Sequence, residues 1–208
     1  MPEVSDILSA ADFFALEKHL VEEGLGSDLH EFAEVKRRLI KPPLLSPEDF
    51  AREVFYVILA SGFSQKTAKR VWGDICRALD AGDCDLDAIF RNKNKTRAIL
   101  KVWDNRKEYR DGFYALSSAD DKLAYLATLP HIGAITSAHI ARNLGISVVK
   151  YDVWIQRLGA GQASFPIKPE VKEACDRMFA RLEKETGLPR GYIDVVLWKA
   201  CQQKLLRP

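Results

Sequence analysis

Apolar residues in this chain recur at spacings of three and four along almost its whole length, and strict apolar–polar alternation beyond four residues is hard to find. That period fits helices and excludes a sheet, so the chain is expected to be all-α. Local signals agree. In Leu45-Ser46-Pro47-Glu48-Asp49-Phe50, Ser46 can cap a helix, Pro47 suits its first position, and Asp49 can complete a capping box. The helix that follows, FAREVFYVILAS, turns apolar nearly all round, which places it at the centre of a core. A second helix is expected from about Ser64 to Ala81, another capped by Ser118, and a last one from about Gly191 to Leu205, with a loop at 159–169.

With 208 residues the chain can bury a sizeable core. Pro42-Pro43 separates an acidic helical segment, residues 1–44, from a block at 45–208, on which the segment is expected to pack. No run of about eighteen apolar residues is present, so no membrane partner is expected. The opening MPEVSDILSAADFF lacks the basic start of a signal peptide, which suggests the cytoplasm. Cys76, Cys84, Cys175 and Cys201 show no CxxC spacing and are expected as small buried thiols. They lack the cluster an iron–sulfur centre requires, and the four histidines give no zinc spacing.

The net charge of +2 hides an asymmetry. Residues 1–50 carry five basic and eleven acidic side chains, whereas 91–110 carry eight basic and two acidic, with aromatics between them. Such a segment suits a polyanion, and it also suits an ordinary solvated helix face.

The most informative stretch is Leu129-Pro130-His131-Ile132-Gly133, followed by AITSAHIARN and a glycine stop at Gly145. It resembles a helix-hairpin-helix spanning about 119–145, in which a tight turn presents the first-turn N–H groups of its second helix to a DNA phosphate. His131 stands where the motif usually has a glycine. The resemblance places contacts to double-stranded DNA at His131, Gly133, Ile135 and Thr136. It also implies a monovalent cation, potassium or sodium, on the carbonyls of Ala127, Leu129 and Ile132, with no other cofactor. The same turn would also serve as a plain connection between helices, so a non-catalytic DNA-binding module and a helical protein-interaction domain stay open at this point.

Downstream, Lys150-Tyr151-Asp152-Val153-Trp154 puts an aspartate at the head of a helical pattern. By itself Asp152 would be a helix N-cap. Hairpin and aspartate together resemble the HhH-GPD superfamily of base-excision DNA glycosylases. Phe55–Trp72, Lys95–Ile99, Arg142–Gly145 and Asp194–Trp198 are similar to further segments of that family, the last two to its small archaeal-type 8-oxoguanine branch.

The resemblance implies a two-lobed helical glycosylase fold, with Asp152 as the catalytic carboxylate and duplex DNA bearing a damaged base as the partner of a monomeric, nucleoid-associated enzyme. It places a wedge for the flipped base's vacancy at Gly62, Phe63 and Ser64, a nucleotide contact at Trp154, and a base pocket at Ile135, Asp194 and Trp198. Arg207 falls where the 8-oxoguanine branch has a base-contacting lysine. Bifunctional members carry a nucleophilic lysine at the position of Ile135, and isoleucine cannot attack a sugar. The expectation is therefore a monofunctional enzyme that removes a damaged purine, such as 8-oxoguanine or 3-methyladenine, and leaves an abasic site. Lys150 could substitute in principle but is expected to point the wrong way.

Overall fold

A computed structural model describes residues 8–207. Residues 1–7 of the acidic segment, and with them half of the stretch read above as lacking a signal peptide, lie outside the described residues. Eleven α-helices and no strand occur among those described: α1 Ala10–Glu22, α2 Phe32–Ile40, α3 Pro47–Ala60, α4 Gln65–Asp80, α5 Lys93–Asp104, α6 Arg106–Ala115, α7 Ala119–Leu126, α8 Ala134–Asn143, α9 Val153–Ala160, α10 Pro169–Thr186 and α11 Arg190–Gln202. The all-α expectation holds.

The chain divides into two compact units, 1–42 with 145–208, and 43–144. This division differs from the sequence-based one. The boundary near Pro42-Pro43 is present, but the block expected at 45–208 is split at Gly145, and the acidic helices belong with the C-terminal part. The reason lies in α11, whose residues Gly191–Cys201 are all buried. A helix buried on every side needs neighbours on every side, and α1, α2, α9 and α10 supply them. Tyr192 is the joint: its ring meets Phe32 at 6.2 Å and Lys36 Nζ at 5.4 Å, and its hydroxyl donates to Glu17. Burial and that carboxylate hold the Tyr192 hydroxyl far above the ordinary tyrosine range.

In the other unit α3 is central, as its composition implied. Residues Phe50, Ala51 and Glu53–Leu59 are buried, and α4, α5, α6 and α8 pack around it. Pro47 occupies the first turn and the Ser46 hydroxyl accepts the Asp49 N–H at 3.0 Å. The capping box is incomplete, because the Asp49 carboxylate takes the Ser46 hydroxyl proton at 2.8 Å rather than the Ser46 N–H. Ser64 and Ser118 cap α4 and α7.

Two expectations need correction. Cys175 and Cys201 are buried, but Cys76 is only half-buried and Cys84 is exposed. The basic segment is also not one face. Arg106 turns to Glu48 at 2.8 Å and lies over Trp103, and Arg110 donates to the Leu45 carbonyl at 3.0 Å. Arg91, Lys93, Arg97 and Lys101 stay exposed.

Candidate functional site

The residues singled out from the sequence fall on both units. Gly62, Phe63, Ser64, Ala127, Leu129, His131, Ile132, Gly133, Ile135 and Thr136 lie in the unit 43–144. Asp152, Trp154, Asp194 and Trp198 lie in the other.

The hairpin is formed by α7, the turn 127–133 and α8. Its tightest step is His131, which adopts φ 65°, in the left-handed region that glycine enters freely and other residues enter with strain. Leu129 O accepts the Ile132 N–H across this turn at 3.1 Å. Gly133 is extended (φ −119°, ψ −175°), a conformation open to any residue, and a Cβ there would meet nothing within 4 Å. The fold around Gly133 therefore makes no demand for glycine, and its bare, exposed backbone is open to approach from outside.

Thr136 Oγ1 accepts the Gly133 N–H at 2.8 Å and donates to the Gly133 carbonyl at 3.0 Å, which fixes the entry into α8. The Gly133 N–H is thus spent within the turn. The N–H groups of Ala134, Ile135 and Thr136 make no hydrogen bond among the described residues, as befits a first helical turn. Ile135 itself is half-buried and carries no titratable group.

The turn between α3 and α4 holds Gly62 at φ 85° and leaves Phe63 42% exposed. Sequence reasoning missed the two residues that brace it. Phe90 meets the Phe63 ring edge-on at 5.4 Å. Lys95 is buried, donates to the Leu59 carbonyl at 3.4 Å and to the Ser61 carbonyl, and lies 4.8 Å from the Phe63 ring centre. Burial lowers the pKa of its ammonium. A signal for this was present: Lys95, Ala98, Ile99 and Val102 follow helical spacing, so Lys95 shares the inward face of α5.

In the other unit Asp152 is the N-cap of α9. Its Oδ1 accepts the N–H groups of Trp154 at 3.0 Å and Ile155 at 3.2 Å. Its Oδ2 lies 3.2 Å from Lys150 Nζ, and the two side chains are only 16% and 10% exposed. Lys150 therefore points at Asp152, contrary to expectation, and its Nζ lies 4.9 Å from the centre of the Trp198 ring. The geometry arises in a tight three-residue turn, in which the Asp152 N–H donates to the Lys150 carbonyl at 2.7 Å and brings the two residues close together. The Cys201 thiol is pushed up to about 12, mainly by burial, with the Asp152 carboxylate adding to the effect.

Asp194 departs from the role expected of it. It is fully buried, and Oδ2 accepts the Lys150 N–H at 3.3 Å. It braces the segment leading to Asp152 rather than offering an acceptor to a base. Trp198 is 8% exposed and shares a face with the Lys150 ammonium. Trp154 is half-buried beside this group, and Arg207 is exposed. Among the described residues no cluster of three or more His, Cys, Asp or Glu could hold a metal ion, and no helix is long and apolar enough to cross a membrane.

No protein-family model matches the chain, and no curated protein matches its sequence. Among solved structures, it is similar to the 8-oxoguanine DNA glycosylase of Thermotoga maritima, with a TM-score of 0.64 over 94% of this chain and 98% of that one, at 16% identity. The fold is that of a DNA glycosylase. At this identity the likeness speaks for the fold, and the chemistry has to be argued from the residues.

Proposed function

We propose that the protein is a DNA glycosylase that releases a damaged purine from double-stranded DNA by hydrolysis, with Asp152 as the catalytic carboxylate. The observation that carries the reading is the setting of Asp152 in a chain with this fold: a mostly buried carboxylate, fixed by two helix N–H groups and facing a lysine beside Trp198. In such a reaction the C1′–N bond breaks, its electron pair leaves with the base, and positive charge builds on the sugar. A carboxylate about 4 Å away stabilises that charge by roughly 1 kcal/mol in water and about four times as much at an effective dielectric of 20. Asp152 also takes the proton of the water that adds to C1′. Its fixed position means that little reorganisation is needed when the charge appears.

Gly133 and the first turn of α8 fit a phosphate contact that grips the backbone without reading sequence. Ala127, Leu129 and Ile132 would present carbonyls to a potassium or sodium ion. Leu129 O accepts the Ile132 N–H and keeps a second lone pair, so these neutral oxygens would suit a hard monovalent cation, which would add positive charge beside a bound phosphate. Phe63 is the wedge in this reading, and Trp198 the stacking plane for the flipped base. Ile135 leaves the hairpin without an amine, so water rather than a hairpin residue breaks the glycosidic bond. We place the enzyme as a monomer in the cytoplasm, on the nucleoid.

One observation favours a non-catalytic DNA-binding module: both Asp152 oxygens already have partners within the chain. One panel separates the readings. The full-length protein is incubated with duplexes bearing 8-oxoguanine, 3-methyladenine, hypoxanthine, uracil or mismatched adenine, and free base is quantified. Release from a purine lesion that is lost in Asp152→Asn supports the enzyme. Salt-sensitive binding without release from any duplex supports the binder.

A further inference from the structure

Lys150 has no task in hydrolysis by Asp152, yet its position is specific. Its side chain is 10% exposed, its Nζ lies 3.2 Å from Asp152 Oδ2 and 4.9 Å from the centre of the Trp198 ring, and Asp194 fixes its backbone. The helix cap on α9 uses only Oδ1 of Asp152 and needs no lysine. Removing an ammonium from water is costly, and a single ion pair offsets that cost poorly.

The product of base release supplies a partner for this amine. Once the base has gone, C1′ of the sugar is a hemiacetal in equilibrium with an aldehyde, and lysine amines condense with aldehydes to form Schiff bases. We propose that Lys150 condenses with C1′ of the abasic product and gives the protein a strand-cleaving activity that follows base release. This rests on the reading of Asp152 as the carboxylate at C1′. It replaces the expectation drawn from Ile135, which concerned the hairpin position alone.

The steps balance with the two residues on hand. The Lys150 ammonium passes a proton to Asp152 Oδ2, and the neutral Nζ adds to C1′. Asp152 returns the proton to the carbinolamine oxygen, which leaves as water, and a C1′=Nζ iminium remains. The iminium acidifies C2′–H. The Asp152 carboxylate takes that proton, a C2′=C3′ double bond forms, and the C3′–O bond breaks with its electron pair going to the departing phosphate. Water then hydrolyses the iminium and frees Lys150. No oxidant or reductant is consumed.

The test uses the full-length protein, a duplex carrying one abasic site, and sodium borohydride, which reduces an iminium to a stable amine. The expected result is a covalent protein–DNA adduct that peptide mapping assigns to Lys150, together with strand nicking without alkali. Lys150→Arg keeps a cation beside Asp152 but forms no imine, so adduct and nicking should both be lost. An adduct mapped to any other amine, or none with the wild-type chain, overturns the proposal. Free base from the lesion panel is measured separately. Release without any adduct overturns the role of Lys150 and leaves the glycosylase reading standing. A Lys150 adduct on the abasic duplex without release from any lesion supports the role of Lys150 and removes that reading.

Discussion

Asp152 Oδ1 accepts the Trp154 N–H at 3.0 Å, so the carboxylate proposed for chemistry is also the cap of α9. The two roles separate by substitution. Asparagine caps a helix about as well as aspartate, so Asp152→Asn should keep α9 and bind duplex DNA, losing stability only through the Lys150 ammonium left without its carboxylate. Base release should fall on the order of 10²–10³-fold, the scale seen when one preorganised charge-stabilising group is removed. Asp152→Ala should lose activity and also about 1 kcal/mol of stability with the cap. Full activity in Asp152→Asn would refute the mechanism.

His131 is the strained residue of the hairpin, at φ 65°. A left-handed conformation costs a residue with a Cβ about 1–2 kcal/mol, and glycine gives back about 0.5–1 through its greater freedom when unfolded. His131→Gly should therefore stabilise the protein by up to about 1.5 kcal/mol. His131→Val should destabilise it by at least about 1 kcal/mol, since a β-branched residue fits this region worst. Urea midpoints of the two variants would decide. A lower midpoint for His131→Gly would mean that the imidazole makes a compensating contact.

These two residues show what the sequence carried. The fold was legible because helix punctuation is local: Ser46, Ser64 and Ser118 cap as read, Gly145 ends the hairpin, and α3, apolar nearly all round towards its end, lies in a core. His131 was visible as a departure from the motif, and its positive φ shows why a glycine suits that position and what the histidine costs. The division into units was not legible, because α1 and α2 pack against a helix far along the chain, with Glu17 and Tyr192 bonded across 175 residues, and nothing local announces that. Lys150 was misjudged for a related reason. Its placement is set by the tight turn at 150–152 and by Asp194, 44 residues on, and helical periodicity carries no signal of either. Asp194 and Trp198 do share a helix face, but burial of Asp194 turns its carboxylate inward.

Glu34 gives a pH dependence within the 1–42/145–208 unit. Its carboxylate accepts from Arg37 at 2.7 and 2.8 Å and from Arg38 at 2.7 Å, and these bonds lower its pKa from 4.5 to about 2. A lowered carboxyl stabilises the fold above its ordinary value, and that contribution fades as pH falls from about 4.5 through 2. Glu34 is 32% exposed, so solvent screening reduces the contribution to about 1 kcal/mol. Glu34→Gln should lower the melting temperature at pH 7 and leave it unchanged near pH 2, narrowing the gap to wild type across that window. A constant gap over the whole range would refute the assignment.

Phe63 and Lys95 make the last prediction. An aromatic that is 42% exposed contributes little to the core, so Phe63→Ala should change stability by less than about 1 kcal/mol. If Phe63 fills the space of a flipped base, its loss should matter where a base must be drawn from a stack. Extrusion costs a few kcal/mol in a duplex and least in a single strand. Excision by Phe63→Ala should therefore fall much more on a duplex lesion than on the same lesion in single-stranded DNA. Lys95→Met should reproduce that duplex-selective defect without touching Phe63, because it removes the ammonium that ties the Leu59 and Ser61 carbonyls beneath the ring. It should also cost about 1–3 kcal/mol of stability, the penalty for leaving buried polar groups without their donor. Equal losses on single- and double-stranded lesions would make Phe63 a packing residue and the turn a passive connection.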